Sequence, residues 1–345
     1  VQTARFIKNL TVEGGYANGS WLTPDPVAHP TTLDADNAGR VVLIQSGTTV
    51  TLRNLNIANG ASGGDNGGGI HNWGNLTLEY STVRDCSALQ GGGIYNGASL
   101  TIRRSLIVGN TSSDAGAGVY SMSDGSVSIS NSTLANNIAT AEGGAIWSRT
   151  SGTLEQSTLA GNSASAGAAL RLLRAGVGRT IHVKGTILAS NTGSNCSATD
   201  TTVTDDGYNL DDDSSCGFTS AGTLHTKPLL GPLADNGGPT LTFEPVLGSP
   251  VIDAGDPAYV PALDDTDQRG LPRVKGGRID MGAAELQAGC QAKVDDTVFT
   301  SADASAIQNA VATATDGGTV RIAGVCEGVS TVDGTVQAVR IAKDL

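Results

Sequence analysis

The chain has 345 residues, a net charge of −12, only 16% charged and 4% aromatic residues, and 47 glycines. This length allows a sizeable core and one large domain or two ordinary ones. The acidic balance argues against nucleic acid and against anionic membrane surfaces, because both are recognised by clustered Lys and Arg. No run of 18 apolar residues occurs, so the sequence predicts no membrane span.

A glycine-rich block recurs along the first half of the chain. Its copies occupy residues 67–70, 91–94, 116–119, 143–146 and 167–170, and their last residues lie 24, 25, 27 and 24 positions apart. A phosphate-cradling glycine loop would precede a helix, whereas a short alternating strand follows each block here. The glycines therefore indicate tight corners and close backbone approach between repeats.

Alternating apolar residues predict short strands at 41–44, 50–52, 76–78, 100–102, 127–129, 153–154 and 181–183. Another apolar residue follows five positions after the end of each of the six strands from 50–52 onward. These residues are Ile57, Val83, Ile107, Leu134, Leu159 and Leu188. Repeats this short must stack on one another to bury a face. The predicted fold class is all-β, a right-handed parallel β-helix with three short strands per coil, an irregular C-terminal region and one short capping α-helix.

Aromatic residues lie near one predicted corner on adjacent coils. His71, Trp73 and Tyr95 there could form a sugar-contact patch, or they could be ordinary surface residues at turns. The remaining histidines, His29, His182 and His225, have no evident acidic partner in the sequence.

A column of asparagines is expected three residues beyond the recurrent apolar position. Stacked coils would place like residues about 4.8 Å apart, so Asn110, Asn137, Asn162 and Asn191 predict an asparagine ladder. Sugar or metal ligation is the alternative role for these amides. Cys86 falls in the same column and is expected to be a buried thiol.

The other four cysteines suggest two local disulfides, Cys196 with Cys216 and Cys290 with Cys326. Disulfides imply an oxidising compartment. The segment 195–218 is also acidic and reads as an insertion; it could hold calcium, although it lacks the EF-hand spacing and a solvated loop is favoured.

Several C-terminal motifs resemble a known group of proteins. They are residues 207–210 (GYNL), 235–240 (DNGGPT), 248–255 (GSPVIDAG), 267–270 (DQRG) and 280–285 (DMGAAE). They are similar to the terminal region of bacterial right-handed β-helix surface proteins, the polymorphic outer-membrane-protein-like and choice-of-anchor Q group. The resemblance covers roughly residues 10–285. It implies a secreted, repeat-rich surface protein and supplies no catalytic residues.

Charged residues in the same region have two interpretations. An ion-pair network that closes the open end of the solenoid would use Asp253, Asp267, Arg269, Arg273, Asp280 and Glu285. Paired carboxylates could instead perform acid–base chemistry, as in glycosidases. The structural role is favoured because the two arginines would keep the acids ionised.

The last segment of the chain has features expected at the start of a β-helix module. A helix is predicted at 304–314, capped by Asp303 and ended by Gly317 and Gly318, with a strand at 319–322. Residues 336–345 then match residues 1–10 at Val, Gln, Arg, Lys and Leu. Chance or one further coil could explain ten residues, but one period of a tandem array, cut out of register, is the preferred hypothesis.

These observations predict three regions: coils at 1–191, a disulfide-clipped loop and closing region at 192–287, and the start of a following module at 288–345. The expected function is a structural or adhesive module of an extracellular bacterial surface or fibre protein, without cofactor or catalysis. Its partners would be copies of itself, head-to-tail or in tandem, and a polysaccharide or cell surface. The alternative is a polysaccharide lyase or glycoside hydrolase of the pectate-lyase-like fold.

Overall fold

The computed structural model describes residues 2–122, 125–173, 179–246, 248–262, 265–275, 278–287, 290–295, 297–301, 305–324, 330–332 and 335–337. Within these residues the chain has one helix, Ser305–Thr313, and otherwise forms strands, turns and loops. The strands wind into a parallel β-helix with three sheets per coil. The predicted fold class is therefore confirmed.

Three principal sheets, named A, B and C in the order in which a coil visits them, each contain eight parallel strands among the described residues. Sheet A consists of Gln2–Phe6, Arg40–Ile44, Ile70–Asn72, Ile94–Asn96, Val119–Ser121, Ile146–Ser148, Leu170–Leu173 and Cys196–Thr199. Sheet B consists of Leu10–Glu13, Thr49–Arg53, Asn75–Glu79, Ser99–Arg103, Ser126–Ser130, Ser151–Glu155, Ile181–Lys184 and Thr204–Asp205. Sheet C consists of Thr31–Asp34, Leu55–Ala58, Thr82–Arg84, Leu106–Val108, Thr133–Ala135, Thr158–Ala160, Ile187–Ala189 and Leu210–Asp211. A short sheet D consists of Ser87–Ala88, Thr111–Ser112 and Ile138–Ala139.

The C-terminal strands are antiparallel. Leu230–Ala234 pairs with Thr242–Pro245, Cys290–Val294 pairs with both Thr297–Ser301 and Val320–Gly324, and Ser330–Val332 pairs with Thr335–Gln337. The helix packs Ala306, Ala310 and Val311 against Ala292, and its predicted cap, Asp303, lies outside the described residues. Across the described part of the chain, no helix has the length and apolar character needed to cross a membrane.

The core runs through the middle of the coils because side chains alternate between the two faces of each strand. In Thr49–Arg53, for example, Val50 and Leu52 are buried while the residues around them face outward. The recurrent apolar position recognised in the sequence lies in sheet C, where all six residues are 0% exposed: Ile57, Val83, Ile107, Leu134, Leu159 and Leu188. Each such burial stabilises the fold by about 1.5–3 kcal/mol.

The corner after sheet C carries the asparagine column. The side-chain Nδ2 groups of Asn110, Asn137 and Asn162 donate to the Oδ1 of the next asparagine at 3.0, 3.0 and 3.1 Å, and Asn191 completes the column. Cys86 precedes them; its backbone N–H donates to Asn110 Oδ1 at 3.1 Å, and burial raises the pKa of its thiol to about 12. These amides are engaged within the stack, which favours the ladder over ligand binding.

A second polar ladder lies at the corner between sheets B and C, and the sequence analysis did not single it out. Its side-chain oxygens accept the backbone N–H of the preceding coil at 3.1–3.4 Å and belong to Ser81, Ser105, Ser132, Ser157 and Thr186. Four of these side chains are 0% exposed and Ser81 is 1% exposed. Buried backbone donors require partners, and this column supplies them at every coil.

The coil stack continues past the boundary predicted at residue 191. Cys196–Thr199, Thr204–Asp205 and Leu210–Asp211 each extend a principal sheet by one strand. The segment 195–218 is therefore largely one more coil rather than an insertion. It was not expected to be a coil because it lacks the glycine block by which the other repeats are recognised in the sequence. Cys196 is disulfide-bonded to Cys216, and Phe218, 1% exposed, packs on the core at this end. The pairing expected for Cys290 cannot be placed, since Cys326 lies outside the described residues.

Candidate functional site

The outer face of sheet A carries a stack of rings, one from each of four successive coils. The strand register aligns His71 with Tyr95, Tyr95 with Tyr120, and Tyr120 with Trp147. The ring centroids of Tyr95 and Tyr120 are 5.3 Å apart and those of Tyr120 and Trp147 are 4.1 Å apart, with nearly parallel planes. Stacked coils thus convert a sequence period into a continuous aromatic row.

The three residues of the predicted sugar-contact patch are brought together at one end of this row. His71 lies 5.0 Å from Trp73 and 4.7 Å from Tyr95, measured between ring centroids. Trp73 covers Gly97, where a Cβ would meet the indole at 2.3 Å. Trp73 is 42% exposed but Tyr95 only 5%, so Trp73 is the member of the patch whose ring faces solvent.

Tyr120 and Trp147 were not among the residues expected in this patch from the sequence. The available signal was the position directly after each glycine block's last apolar residue, which holds His71, Tyr95, Tyr120, Trp147 and then Arg171. Arg171 continues the row and its Nε lies 3.1 Å from Glu142 Oε2. Tyr120 and Trp147 are 8% and 4% exposed, so most of the row stabilises the coils and does not offer ring faces.

His71 does not have the pKa expected of a general base, which lies near the operating pH. Burial and the nearby Arg40 guanidinium lower the pKa of its imidazole to about 4. Among the described residues neither ring nitrogen has a hydrogen-bond partner. The ring is therefore neutral at ordinary pH and acts as part of the aromatic surface.

One histidine does have an acidic partner, contrary to the sequence analysis. The Nδ1 atom of His182 lies 3.0 Å from Asp206 Oδ2, which belongs to the next coil. Both side chains are more than 40% exposed, and exposed pairs of this kind contribute little. The partner was overlooked because the coil of Asp206 was not recognised as a coil.

The acidic residues of the last coil bind backbone amides. The carboxylate of Asp205 accepts N–H groups of Gly207, Thr219 and Ser220 at 2.6–3.0 Å, and that of Asp211 accepts the N–H of Cys216 at 2.7 Å. Across the described ranges, no three His, Cys, Asp or Glu side chains are grouped as metal ligands. These contacts favour a loop stabilised by its own carboxylates over a calcium site.

The arginines of the closing region behave differently from each other. Arg269 forms the expected ion pair, with Nη2 2.7 Å from Asp267 Oδ2, and a second one 2.8 Å from Glu244. Arg273 is 1% exposed and donates to Gln156 Oε1 at 2.8 Å and to backbone carbonyls. The predicted ion-pair network is therefore realised at Arg269 but not at Arg273.

The predicted partners of Arg273 are held by backbone amides. Glu285 accepts the N–H groups of Lys275 and Asp280, each at 2.9 Å. Asp280 in turn accepts those of Asp253 and Leu286, each at 2.7 Å. These carboxylates therefore link separate parts of the closing region through hydrogen bonds to its backbone.

Two of these acids have strongly raised pKa values. Burial raises the pKa of Glu285 to about 8 and that of Asp280 to about 6. The expectation that the arginines keep the acids ionised is wrong for Glu285, because burial outweighs the attraction of Arg273. A raised carboxyl pKa is typical of catalytic acids, but Glu285 and Asp280 are 0% and 1% exposed and therefore cannot contact a polymer.

The closing region packs along the side of the solenoid. Gln268 contacts Thr133 at 2.7 Å, and the N–H of Ala283 donates to Thr158 Oγ1 at 3.0 Å. Thr133 and Thr158 belong to sheet C in the middle of the coil stack. The prediction that this charged region covers the open end is therefore wrong; the end carries Phe218 and the disulfide instead, while residues 267–285 cover a lateral face.

A groove of about 730 Å³ lies beside this region, between the closing segment and the first coils. Its charged lining residues are Glu13, Arg53, Glu79, Arg104 and Arg269. Arg53 is engaged with Glu79 at 2.6 Å and with Glu13 at 3.7 Å. The opposite charges therefore largely compensate one another within the groove.

Comparisons with known proteins add a fold-level likeness. No protein family and no curated protein matches this sequence. Among solved structures, the chain is similar to one titled "Crystal structure of pectate lyase Pel9A", with 13% identity over 81% of this chain and 86% of that one and a TM-score of 0.33.

Proposed function

We propose that the chain is a structural and adhesive module of an extracellular bacterial surface or fibre protein. The observation that carries this proposal is the continuous stack of coils, hydrogen-bonded through two buried side-chain ladders along its length. Satisfied buried polar columns rigidify a fold, and a rigid rod with long lateral faces suits support and contact.

The proposal includes assembly with copies of itself. In sheets A, B and C the strands Gln2–Phe6, Leu10–Glu13 and Thr31–Asp34 pair on one side only within the described residues. Beside them Phe6, Val12 and Leu33 pack on the core but are only partly buried. Unpaired strand edges favour addition of another strand, and a head-to-tail contact of this kind yields a filament.

Covalently linked modules in tandem are the second form of assembly in this proposal. Residues 336–345 match residues 1–10 at five positions, as expected of modules in tandem. The bacterial surface-protein group named above, the polymorphic outer-membrane-protein-like and choice-of-anchor Q proteins, remains the proposed relationship. The disulfide supports an extracellular location, since such bonds persist in oxidising compartments.

A polysaccharide-active enzyme is the second candidate, and the groove of about 730 Å³ is the observation in its favour. Such an enzyme needs an acid and a base within reach of the sugar. Glu79 in the groove is held by Arg53 at 2.6 Å, and the acids with raised pKa values are buried within the closing region. The structural function is therefore better supported.

Two measurements on one preparation test the proposal. Negative-stain images of concentrated protein are expected to show regular fibres, and incubation with a panel of neutral and acidic polysaccharides is expected to release no oligosaccharides. Turnover of any polysaccharide would establish the enzyme instead. Particles that stay monomeric at high concentration and bind no surface polymer would contradict the structural and adhesive role.

A further inference from the structure

The outward face of sheet B carries a column of hydroxyl side chains that is separate from the sites described above. The strand register aligns one residue per coil, from the first coil to the sixth, as Thr11, Thr51, Thr77, Thr101, Ser128 and Thr153. Two residues earlier in the strands runs a parallel column of Thr49, Asn75, Ser99, Ser126 and Ser151. The two columns form a neutral polar strip along the solenoid, called the hydroxyl strip below.

The hydroxyls at the centre of the strip are available. Thr51, Thr77 and Thr101 are partly exposed, and within the described residues their Oγ1 atoms have no protein hydrogen-bond partner. By contrast, the hydroxyls of Ser128 and Thr153 lie 3.0 Å apart and bond to each other. The three threonines thus offer donors and acceptors whose strand positions are fixed by the sheet.

The charge distribution selects the kind of partner. The strip contains no charged residue through six coils of a chain whose net charge is −12. The column two residues later in the strands holds Glu13, Arg53, Glu79 and Arg103. Arg53 pairs with Glu79 at 2.6 Å and with Glu13 at 3.7 Å, whereas Arg103 is exposed. The strip itself therefore offers an anionic polymer no cation, and the chain as a whole is acidic.

The spacing selects the direction in which a partner lies. Strands of one sheet are about 4.8 Å apart, which is close to the length of one pyranose residue in an extended β-1,4-linked chain. A chain that follows the solenoid axis would present one sugar residue to each threonine. A chain across the strip would meet only two hydroxyl columns and then the charged column.

We propose that the hydroxyl strip binds a neutral β-1,4-linked polysaccharide lying along the solenoid axis. This inference rests on the proposed adhesive function and names its ligand class and its face. The exposed Trp73 lies in the turn between the sheet A strand Ile70–Asn72 and the sheet B strand Asn75–Glu79 and is not part of the strip, so the strip and the aromatic patch can be tested separately.

The test is a binding assay with the full chain, using microcrystalline cellulose and chitin as neutral probes and sodium polygalacturonate as the acidic probe. A triple variant, Thr51→Val, Thr77→Val and Thr101→Val, removes the hydroxyls while retaining the β-branched side chains that suit strands. Binding to the neutral probes is expected to fall about fivefold for each hydroxyl lost. The triple Thr→Ser variant at the same positions is expected to retain binding, and Thr32→Val, the same change on sheet C, is the matched control.

Equal binding by the triple valine variant, with unchanged circular dichroism and unfolding temperature, would overturn the inference. So would failure of the unmodified chain to bind either neutral probe, or preferential binding to polygalacturonate. Fibres in the electron microscope without cellulose or chitin binding would overturn the hydroxyl strip while leaving the structural function in place. Release of oligosaccharides would instead overturn the proposed function itself.

Discussion

Replacement of Asn137 by alanine tests the asparagine ladder directly. Its Nδ2 donates to Asn162 Oδ1 and to the carbonyl oxygen of Ile107, both at 3.0 Å. Its Oδ1 accepts the backbone N–H of Asn110 at 3.1 Å and the side-chain Nδ2 of that residue at 3.0 Å. The side chain is 0% exposed, so water cannot replace these four bonds without a rearrangement of the coils.

Each bond contributes about 1 kcal/mol net, and partners left buried without a bond add to the loss. The expected decrease in the free energy of unfolding is therefore about 4 kcal/mol, a large part of the roughly 5–15 kcal/mol that stabilises a typical domain. Urea unfolding followed by circular dichroism measures this difference. Asn75→Ala, at an exposed position on sheet B, is the matched control and should change stability by less than about 0.5 kcal/mol. A loss at Asn137 no greater than that of the control would refute the reasoning.

Gly92→Ala should destabilise the chain strongly, because its Cβ would lie 2.2 Å from a backbone oxygen of the next coil, whereas Gly64→Ala meets nothing within 4 Å and should be tolerated; comparison of the two unfolding temperatures decides this. The raised pKa values of Glu285 and Asp280, about 8 and about 6, mean that the folded chain holds protons which the unfolded chain releases. Stability should therefore fall as the pH rises from about 4.5 to about 8, and an unfolding temperature that is flat or rising over this range would contradict the assignment. The thiol of Cys86, with its pKa raised to about 12, should resist iodoacetamide at neutral pH in the folded chain and react after denaturation, as peptide mass spectrometry can show; rapid labelling of the native protein would exclude its burial in the ladder.

The regular coils could be predicted because their information is local and repeated. The apolar position represented by Val83 and Leu134 recurs at a fixed distance from its strand, and the asparagine column follows at a second fixed distance. The second polar ladder, at the corner between sheets B and C, has the same period. In the sequence, however, Ser81 and Ser105 resemble ordinary turn residues, and only the structure shows that they accept backbone N–H groups. Periodicity therefore indicated the columns without revealing which of them hydrogen-bond.

The closing region could not be placed from the sequence, because its contacts are distant in the chain. Gln268 meets Thr133, a separation of 135 residues, and no repeat links the two positions. The same limitation explains why the predicted ion pairs form at Arg269 but not at Arg273. The two arginines look alike in the sequence, yet Arg269 pairs with a carboxylate, whereas Arg273 donates to a side-chain amide and to backbone carbonyls. Burial, which decides the pKa of Glu285, depends on that packing.

High-resolution electron cryomicroscopy of the concentrated protein tests the central claim most directly. If the chain is a rod-forming module, the images should show filaments in which the strand repeat of about 4.8 Å continues along the axis from one molecule into the next. Isolated particles of single-chain size, with no strand repeat shared between molecules, would contradict it.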